Sequence, residues 1–260
     1  MNNAGMKLAT WNVNSLKVRL PQVLDWLQTQ QPDMLCLQET KLIDENFPQQ
    51  EIAEAGYQSV YIGQKTYNGV AILSKQSGHE ITTAIPGFED EQKRVIAATF
   101  GALRIICIYV PNGDTVGSEK YAYKLRWLPA LTDWLRNELK TYPKLALLGD
   151  FNIAPDDRDV YDPKLWEGKV LCSQPERNAF DGLLKIGLID SFRLFEQPDK
   201  IYSWWDYRML AFRRNRGLRI DHILMSKELA ASCITCQIDK ATRKLERPSD
   251  HAPVVAELSL

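Results

Sequence analysis

Short apolar runs, some alternating and some continuous, follow one another closely along the chain. Residues 7–13 read as a strand. Leu20, Val23, Leu24 and Leu27 then fall at i, i+3, i+4 and i+7, one face of a helix whose first turn tolerates Pro21. Residues 34–37 are a short apolar run, predicting a buried strand that ends in Gln38-Glu39-Thr40. Residues 57–62, 70–73, 95–100 and 104–110 are rich in β-branched side chains and bounded by glycines, and predict further strands. Leu128, Leu131, Leu135 and Leu139 mark one face of a second helix, disturbed at Pro129. Residues 145–148 predict a buried strand running into Gly149-Asp150-Phe151-Asn152; residues 220–225 and 253–258 predict late strands, each touching a polar cluster at its start. Helices separate only some of these strands. The pattern therefore predicts mixed sheets with covering helices, not regular βαβ alternation. No linker, repeat or low-complexity tract marks a domain boundary.

A composition of 45% hydrophobic, 10% aromatic and 25% charged residues is that of a globular chain, and 260 residues suffice for a sizeable core. Lys and Arg number 32 against 33 Asp and Glu, so a global positive field is excluded, though a local basic face is not. Five cysteines cannot all pair, and they read as reduced thiols of a cytoplasmic protein. Cys233 and Cys236 have CxxC spacing, but no second pair completes a zinc site, so they read as buried thiols. Three histidines exclude a multi-histidine metal centre. The first seven residues lack the apolar run of a signal peptide, and no apolar stretch approaches the roughly 20 residues of a membrane span. No membrane partner is expected.

The informative pattern is where the polar residues sit. Asn12, Glu39, Tyr109, Asp150, Asn152, Asp221, Asp250 and His251 all lie within or at an end of expected strands. Strand ends converge on one rim of a sheet, where a rigid scaffold presents several side chains to one point. Singly, each is an ordinary turn or cap residue. Together, carboxylates, carboxamides, a phenol and a lone histidine make a hard, oxygen-rich set suited to Mg²⁺-assisted attack of water on a phosphorus ester.

The motifs Thr10-Trp11-Asn12-Val13-Asn14, Leu37-Gln38-Glu39-Thr40-Lys41, Tyr109-Val110-Pro111-Asn112-Gly113, Gly149-Asp150-Phe151-Asn152, Gly217-Leu218-Arg219-Ile220-Asp221 and Ser249-Asp250-His251-Ala252-Pro253 together resemble the ordered signature of the exonuclease III family of AP endonucleases, within the endonuclease/exonuclease/phosphatase superfamily. The resemblance runs from Met6 to the C-terminus. It implies an α/β fold, a four-layered sandwich of two packed mixed β-sheets flanked by helices. One domain would span residues 1–260, with residues 1–5 a flexible extension. It also implies roles. Glu39 is the principal Mg²⁺ ligand (Mn²⁺ is an alternative), with Asn12 and Asp250 holding the ion or its waters. Asp150 orients or deprotonates the attacking water, and Asn152 donates to a non-bridging phosphate oxygen. His251, paired with Asp221, contacts the phosphate or acts as base, and Tyr109 bonds the phosphate or the leaving group. Asp150, Asn152 and His251 are also metal ligands in some states. The base, Asp150 or His251, stays open.

Residues 204–219 carry Arg208, Arg213, Arg214, Arg216 and Arg219 interleaved with aromatics just before Asp221, the footprint of phosphate-backbone contact. Lys240, Arg243, Lys244 and Arg247 add a second basic cluster. By the resemblance, Trp204 and Leu218 line a pocket for an extruded sugar lacking its base, and Asn14 and Asn112 join the DNA contacts. The implied activity is a DNA-repair phosphodiesterase that cuts 5′ to abasic sites and clears blocked 3′ ends. Its partner is double-stranded DNA, and it acts as a monomer. Residues 156–175, irregular and bordering the site, would set the balance among incision, 3′-phosphatase, 3′-diesterase and exonuclease activities. A lipid or inositol phosphate hydrolase is the rival within the superfamily, disfavoured by the Arg-rich run. A non-catalytic DNA-binding module ranks last, because every chemical position is filled.

Overall fold

A computed structural model describes residues 5–259. The expected N-terminal extension falls mainly on residues 1–4, outside the described residues. The first sheet opens with β1 (Met6–Asn12), and α1 (Leu16–Gln30) returns the chain to β2 (Met34–Gln38), parallel to β1. The short α2 (Gln49–Glu54), β3 (Gln58–Ile62) and β4 (Val70–Ser74) follow. The second sheet collects β5 (His79–Thr82), β6 (Val95–Phe100) and β7 (Leu103–Tyr109), then α3 (Glu119–Thr141) and β8 (Lys144–Asp150), which lies parallel to β7. After α4 (Pro163–Trp166) and α5 (Gln174–Lys185) it closes with β9 (Leu188–Asp190) and β10 (Asp221–Ser226). The chain then passes through α6 (Lys227–Ala230) and adds β11 (Cys233–Ile238) and β12 (Val254–Leu258) to the first sheet.

The strand orders are β11-β12-β1-β2-β4-β3 and β5-β6-β7-β8-β10-β9, with every neighbouring pair antiparallel except β1/β2 and β7/β8. The two sheets bury a shared core that includes Leu8, Ile72, Ile105, Leu148, Ile223 and Val254. Outer faces are covered by α1 and α2 on one side, through Trp11, Val23, Leu27 and Ile52, and by α3 and α5 on the other, through Trp127, Leu131, Leu135, Phe180 and Leu183. Four layers result, as expected. Central strands are buried on both faces, which is why they read as continuous apolar runs.

Both prolines depart from the sequence reading. Helix α1 starts at Leu16, so Pro21 lies inside it, past the first turn. Pro129 does not interrupt α3, which runs unbroken for 23 residues. Its missing N–H is offset by burial of Trp127, Leu128, Leu131 and Leu135 against the sheet. Gly149 is obligatory for another reason: a Cβ there would stand 1.9 Å from the Ile108 carbonyl oxygen of the parallel neighbour. Cys236 is buried and Cys233 half-buried on β11, in keeping with the thiol reading.

Candidate active site

The paired parallel strands β1/β2 and β7/β8 end on the same rim, joined there by the start of β10 and the segment before β12. Asn12 ends β1 and Tyr109 ends β7; Asp150 ends β8, opposite Asp221 in register. The loop carrying Asp250 and His251 is tied to this rim, since Trp11 Nε1 donates to the His251 carbonyl at 3.2 Å and Ser249 Oγ to the Asn12 carbonyl at 2.7 Å. Several residues just past the strand ends take left-handed backbone: Asn14, Ser15, Glu39, Lys41 and Asn152. Non-glycine residues hold such φ values only where their surroundings over-determine them. Here Ser15 N donates to the Glu39 carbonyl at 2.8 Å and Lys41 N to the Asn68 carbonyl at 2.9 Å, which turns the Glu39 side chain into the site.

Asn12 Nδ2 donates to Glu39 Oε1 and to Asp150 Oδ2, both at 2.9 Å, so one carboxamide bridges two carboxylates. Glu39, Asp150 and His251 offer one donor atom each within 4.8 Å of one another. Lys41 Nζ lies 2.9 Å from Glu39 Oε2 and donates to Asn14 Oδ1 at 2.5 Å. Asn152 donates through Nδ2 to the Val110 carbonyl at 2.9 Å, while Asn112 Nδ2 donates to Asn152 Oδ1 at 3.0 Å. Tyr109 is half-buried under the Arg94 guanidinium, 4.7 Å from its ring centre. Burial, then the charges of Glu39 and Asp150, push its phenol well above the usual range, so it is a donor at neutral pH.

His251 Nδ1 lies 2.9 Å from Asp221 Oδ2, and Ser203 Oγ donates to the same oxygen at 2.7 Å. Burial opposes the imidazolium, but the carboxylates of Asp221 and Asp150 outweigh it and raise His251 to about 10. Its Nε2 faces Asp150 Oδ2 at 3.7 Å. Burial pushes Asp150 up to about 7, with His251 pulling the other way. Asp250 is not brought into the central group. Its Oδ1 accepts from Asn14 Nδ2 at 2.9 Å and its Oδ2 from Trp204 Nε1 at 3.0 Å. Burial raises its pKa, but His251 and these hydrogen bonds hold it below the usual carboxylate range.

Trp204 bridges to both Leu218 and His251, half-buried beside the site. Leu218 has no exposed surface and packs with Ala154, Val160, Leu171 and Ile220. Arg208, Arg213, Arg214 and Arg216 are exposed, with Arg208 paired to Asp206 at 2.7 Å. Arg219 is no surface contact: it is buried and bonded to Asp159 at 2.7 Å and Asp190 at 2.8 Å. Arg243 likewise leaves the second basic cluster, buried 5.0 Å from the Phe212 ring centre. Residues 156–175 are less irregular than expected, holding a 3₁₀ turn at Asp157–Asp159 and α4. Lys41, Ser203 and Lys124 escaped the sequence reading as site residues; only Lys41 had a signal, its place in the Glu39 motif.

Residues 9–251 match the Endonuclease/Exonuclease/phosphatase family. The chain is 39% identical to exodeoxyribonuclease III of Haemophilus influenzae, over 97% of this chain and 99% of that one. Among solved structures it resembles a 3′ phosphatase, NExo, from Neisseria bound to a product DNA hairpin (49% identity, 97% and 99% coverage, TM-score 0.96). It also resembles an AP endonuclease from Archaeoglobus fulgidus (36% identity, 98% and 100% coverage, TM-score 0.95). With its six motifs gathered on one rim of a two-sheet sandwich, the chain belongs to the endonuclease/exonuclease/phosphatase family, in its exonuclease III branch.

Proposed function

We propose that the protein is a Mg²⁺-dependent DNA-repair phosphodiesterase that cuts the backbone 5′ to abasic sites, removes blocking groups from 3′ ends and degrades DNA from 3′ ends. The observation that carries this reading is the convergence of Glu39, Asp150 and His251 around the Asn12 carboxamide. Two carboxylates beside carboxamide and phenol oxygens suit a hard cation that keeps several waters. Glu39 would be its principal ligand, Asn12 would orient Glu39 and Asp150, and Mn²⁺ would fit the same donors. A bound divalent ion supplies Lewis-acid polarisation of the phosphate.

The protein's own groups do the rest. His251, raised to about 10, is already charged at neutral pH, which leaves the Asp150 carboxylate, 3.7 Å from its Nε2, to orient the water and take its proton. Asp150 is therefore the base in this reading. The imidazolium has its Nδ1–H fixed by Asp221, while its Nε2–H, 3.7 Å from Asp150 and in no hydrogen bond among the described residues, would donate to the phosphate as charge develops there. Asn152 and Asn112 add carboxamide donors, and Tyr109 donates its phenolic proton to the phosphate or the leaving oxygen. Asp250 acts indirectly, fixing Asn14 and Trp204. Trp204 supplies the half-buried wall, and buried Leu218 the backing, of a pocket for an extruded abasic sugar. We also read the chain as one domain, because the inter-sheet core is shared by both sheets.

A panel of duplexes carrying an abasic site, a 3′-phosphate or a recessed 3′-hydroxyl, with an inositol phosphate alongside, tests this reading. Incision and 3′ processing with Mg²⁺ and none in EDTA are expected. Hydrolysis of the inositol phosphate alone would replace the reading with its superfamily rival.

A further inference from the structure

Directly behind the two carboxamides, on the side away from solvent, lies an ion pair with no exposed side-chain surface, Lys124 of α3 with Glu176 of α5. The ammonium has three N–H donors and three acceptors: Glu176 Oε1 at 2.5 Å, the Asn152 carbonyl at 2.6 Å and the Asn112 carbonyl at 3.1 Å. Glu176 is equally committed. Its Oε1 also accepts from Leu171 N at 3.0 Å, and its Oε2 from Ser173 N at 3.1 Å, the reciprocal half of a helix capping box. Burial lowers the Lys124 pKa even though Glu176 opposes this.

A buried ion pair is poor value as mere glue, since apolar replacements of similar volume are often neutral or stabilising. What this pair does differently is hold main chain. Two of the three lysine bonds end on carbonyls of Asn112 and Asn152, the residues whose carboxamides are joined at 3.0 Å in the site. Asn152 sits in the left-handed region, so its carbonyl needs an inward partner to keep its side chain facing Asp150. We propose that Lys124, anchored by Glu176, is a positioning residue that sets the Asn112 and Asn152 backbone so that both carboxamides meet the scissile phosphate. The proposal rests on the reading of Asn152 as a phosphate-facing group.

The test is single-turnover hydrolysis of the panel duplex cleaved fastest, at saturating Mg²⁺, in a cycle that combines Lys124→Met/Glu176→Gln with Asn152→Ala. The Met/Gln pair keeps volume and leaves no unpaired buried charge. Misplacement by about 1 Å costs up to about 10²-fold, so the pair should slow the reaction by about 10- to 100-fold with little change in KM. In the Asn152→Ala background the same pair should cost no more than about threefold, because the group it holds most closely is gone and only the longer bond to the Asn112 carbonyl, at 3.1 Å, is left to lose. A loss of fold would remove the same factor in both backgrounds, so equal factors, or no effect of the pair at all, overturn the proposal. If Asn152→Ala alone is as active as the wild type, the phosphate role of Asn152 falls first and the positioning role with it. If Asn152→Ala is impaired and the factors multiply in full, only the positioning role falls.

Discussion

Two carboxylates share the Asn12 amide at 2.9 Å each, an arrangement that favours a cation between them. Glu39→Gln keeps the shape and removes the anion. The rate at limiting Mg²⁺ should fall by about 10²-fold or more, since Lewis-acid stabilisation is worth several kcal/mol. Initial rates against Mg²⁺ concentration read this directly, and wild-type activity at limiting Mg²⁺ would remove Glu39 from the metal site. The fully buried Asp221 works through His251 and has no other catalytic contact in this reading. His251→Ala and Asp221→Ala should therefore be non-additive in kcat/KM, the double variant scarcely slower than His251→Ala alone. Full additivity would show that Asp221 does not orient the imidazole. These residues were legible in the sequence because each stands at or beside a strand end inside a motif. Lys124, Ser203 and the buried role of Arg219 were not. Lys124 reaches Asn152 and Glu176, Ser203 reaches Asp221 and Arg219 reaches Asp159 across 18 to 60 residues, and only the packed fold brings them together.

Among the elements, the strands that the sequence shows are mainly the central ones, buried on both faces, with the half-exposed edge strand β3 also read from its β-branched run. Strand β5 is missed because it is an exposed edge, and β9 because three residues carry no period. Helix α5 had a signal that went unread: Ser173-Gln174-Pro175-Glu176 has capping-box spacing with proline in the first turn. Strand β10 shows how one element serves both site and scaffold. Asp221 faces His251, while the next residue, His222, is buried against Phe151 and Phe180. His222 Nε2 donates to the Ile153 carbonyl at 2.9 Å, leaving Nδ1 to accept from Arg219 at 3.0 Å. That tautomer must be neutral. Burial, then the Arg219 charge, depress its pKa to about 4. Between about pH 6.5 and 4 the unfolded chain binds a proton that the folded chain refuses, so stability falls with pH across that window. The loss should be about 3 kcal/mol at most, at about 1.4 kcal/mol per unit. Chemical denaturation of wild type and His222→Gln at a series of pH values checks the sign: the difference between them should shrink on acidification. A difference that holds constant from pH 7 to 4 would show that His222 titrates normally in the fold.

At the scale of the molecule, a chain of net charge -1 must meet a polyanion through an uneven distribution of charge. Residues 206–216 provide it. Trp205 N donates to the Asp250 carbonyl at 3.0 Å, and Tyr207 Oη donates to the Pro248 carbonyl at 2.8 Å, so the loop is pinned beside the site. Arg243 underpins it from within, its guanidinium 5.0 to 5.9 Å from the ring centres of Trp205, Tyr207 and Phe212. Anchored in this way, the loop leaves Arg213, Arg214 and Arg216 in solvent, while Arg208 is already paired with Asp206. Each phosphate contact released adds about one to the slope of log affinity against log salt. Replacing Arg213, Arg214 and Arg216 together with glutamine should thus flatten that slope by about two to three and weaken duplex binding at low salt. Exposed side chains carry little of the fold, so the melting temperature should stay put, and the Mg²⁺ dependence should not move because the loop supplies no metal ligand. Binding of a labelled duplex in EDTA across a salt series isolates the effect from hydrolysis. An unchanged slope would mean that DNA does not lie on this loop, and would move the search for its path to the opposite side of the rim, past Arg94 and Lys120, where a cleft of about 570 Å³ adjoins Tyr109 and Glu39.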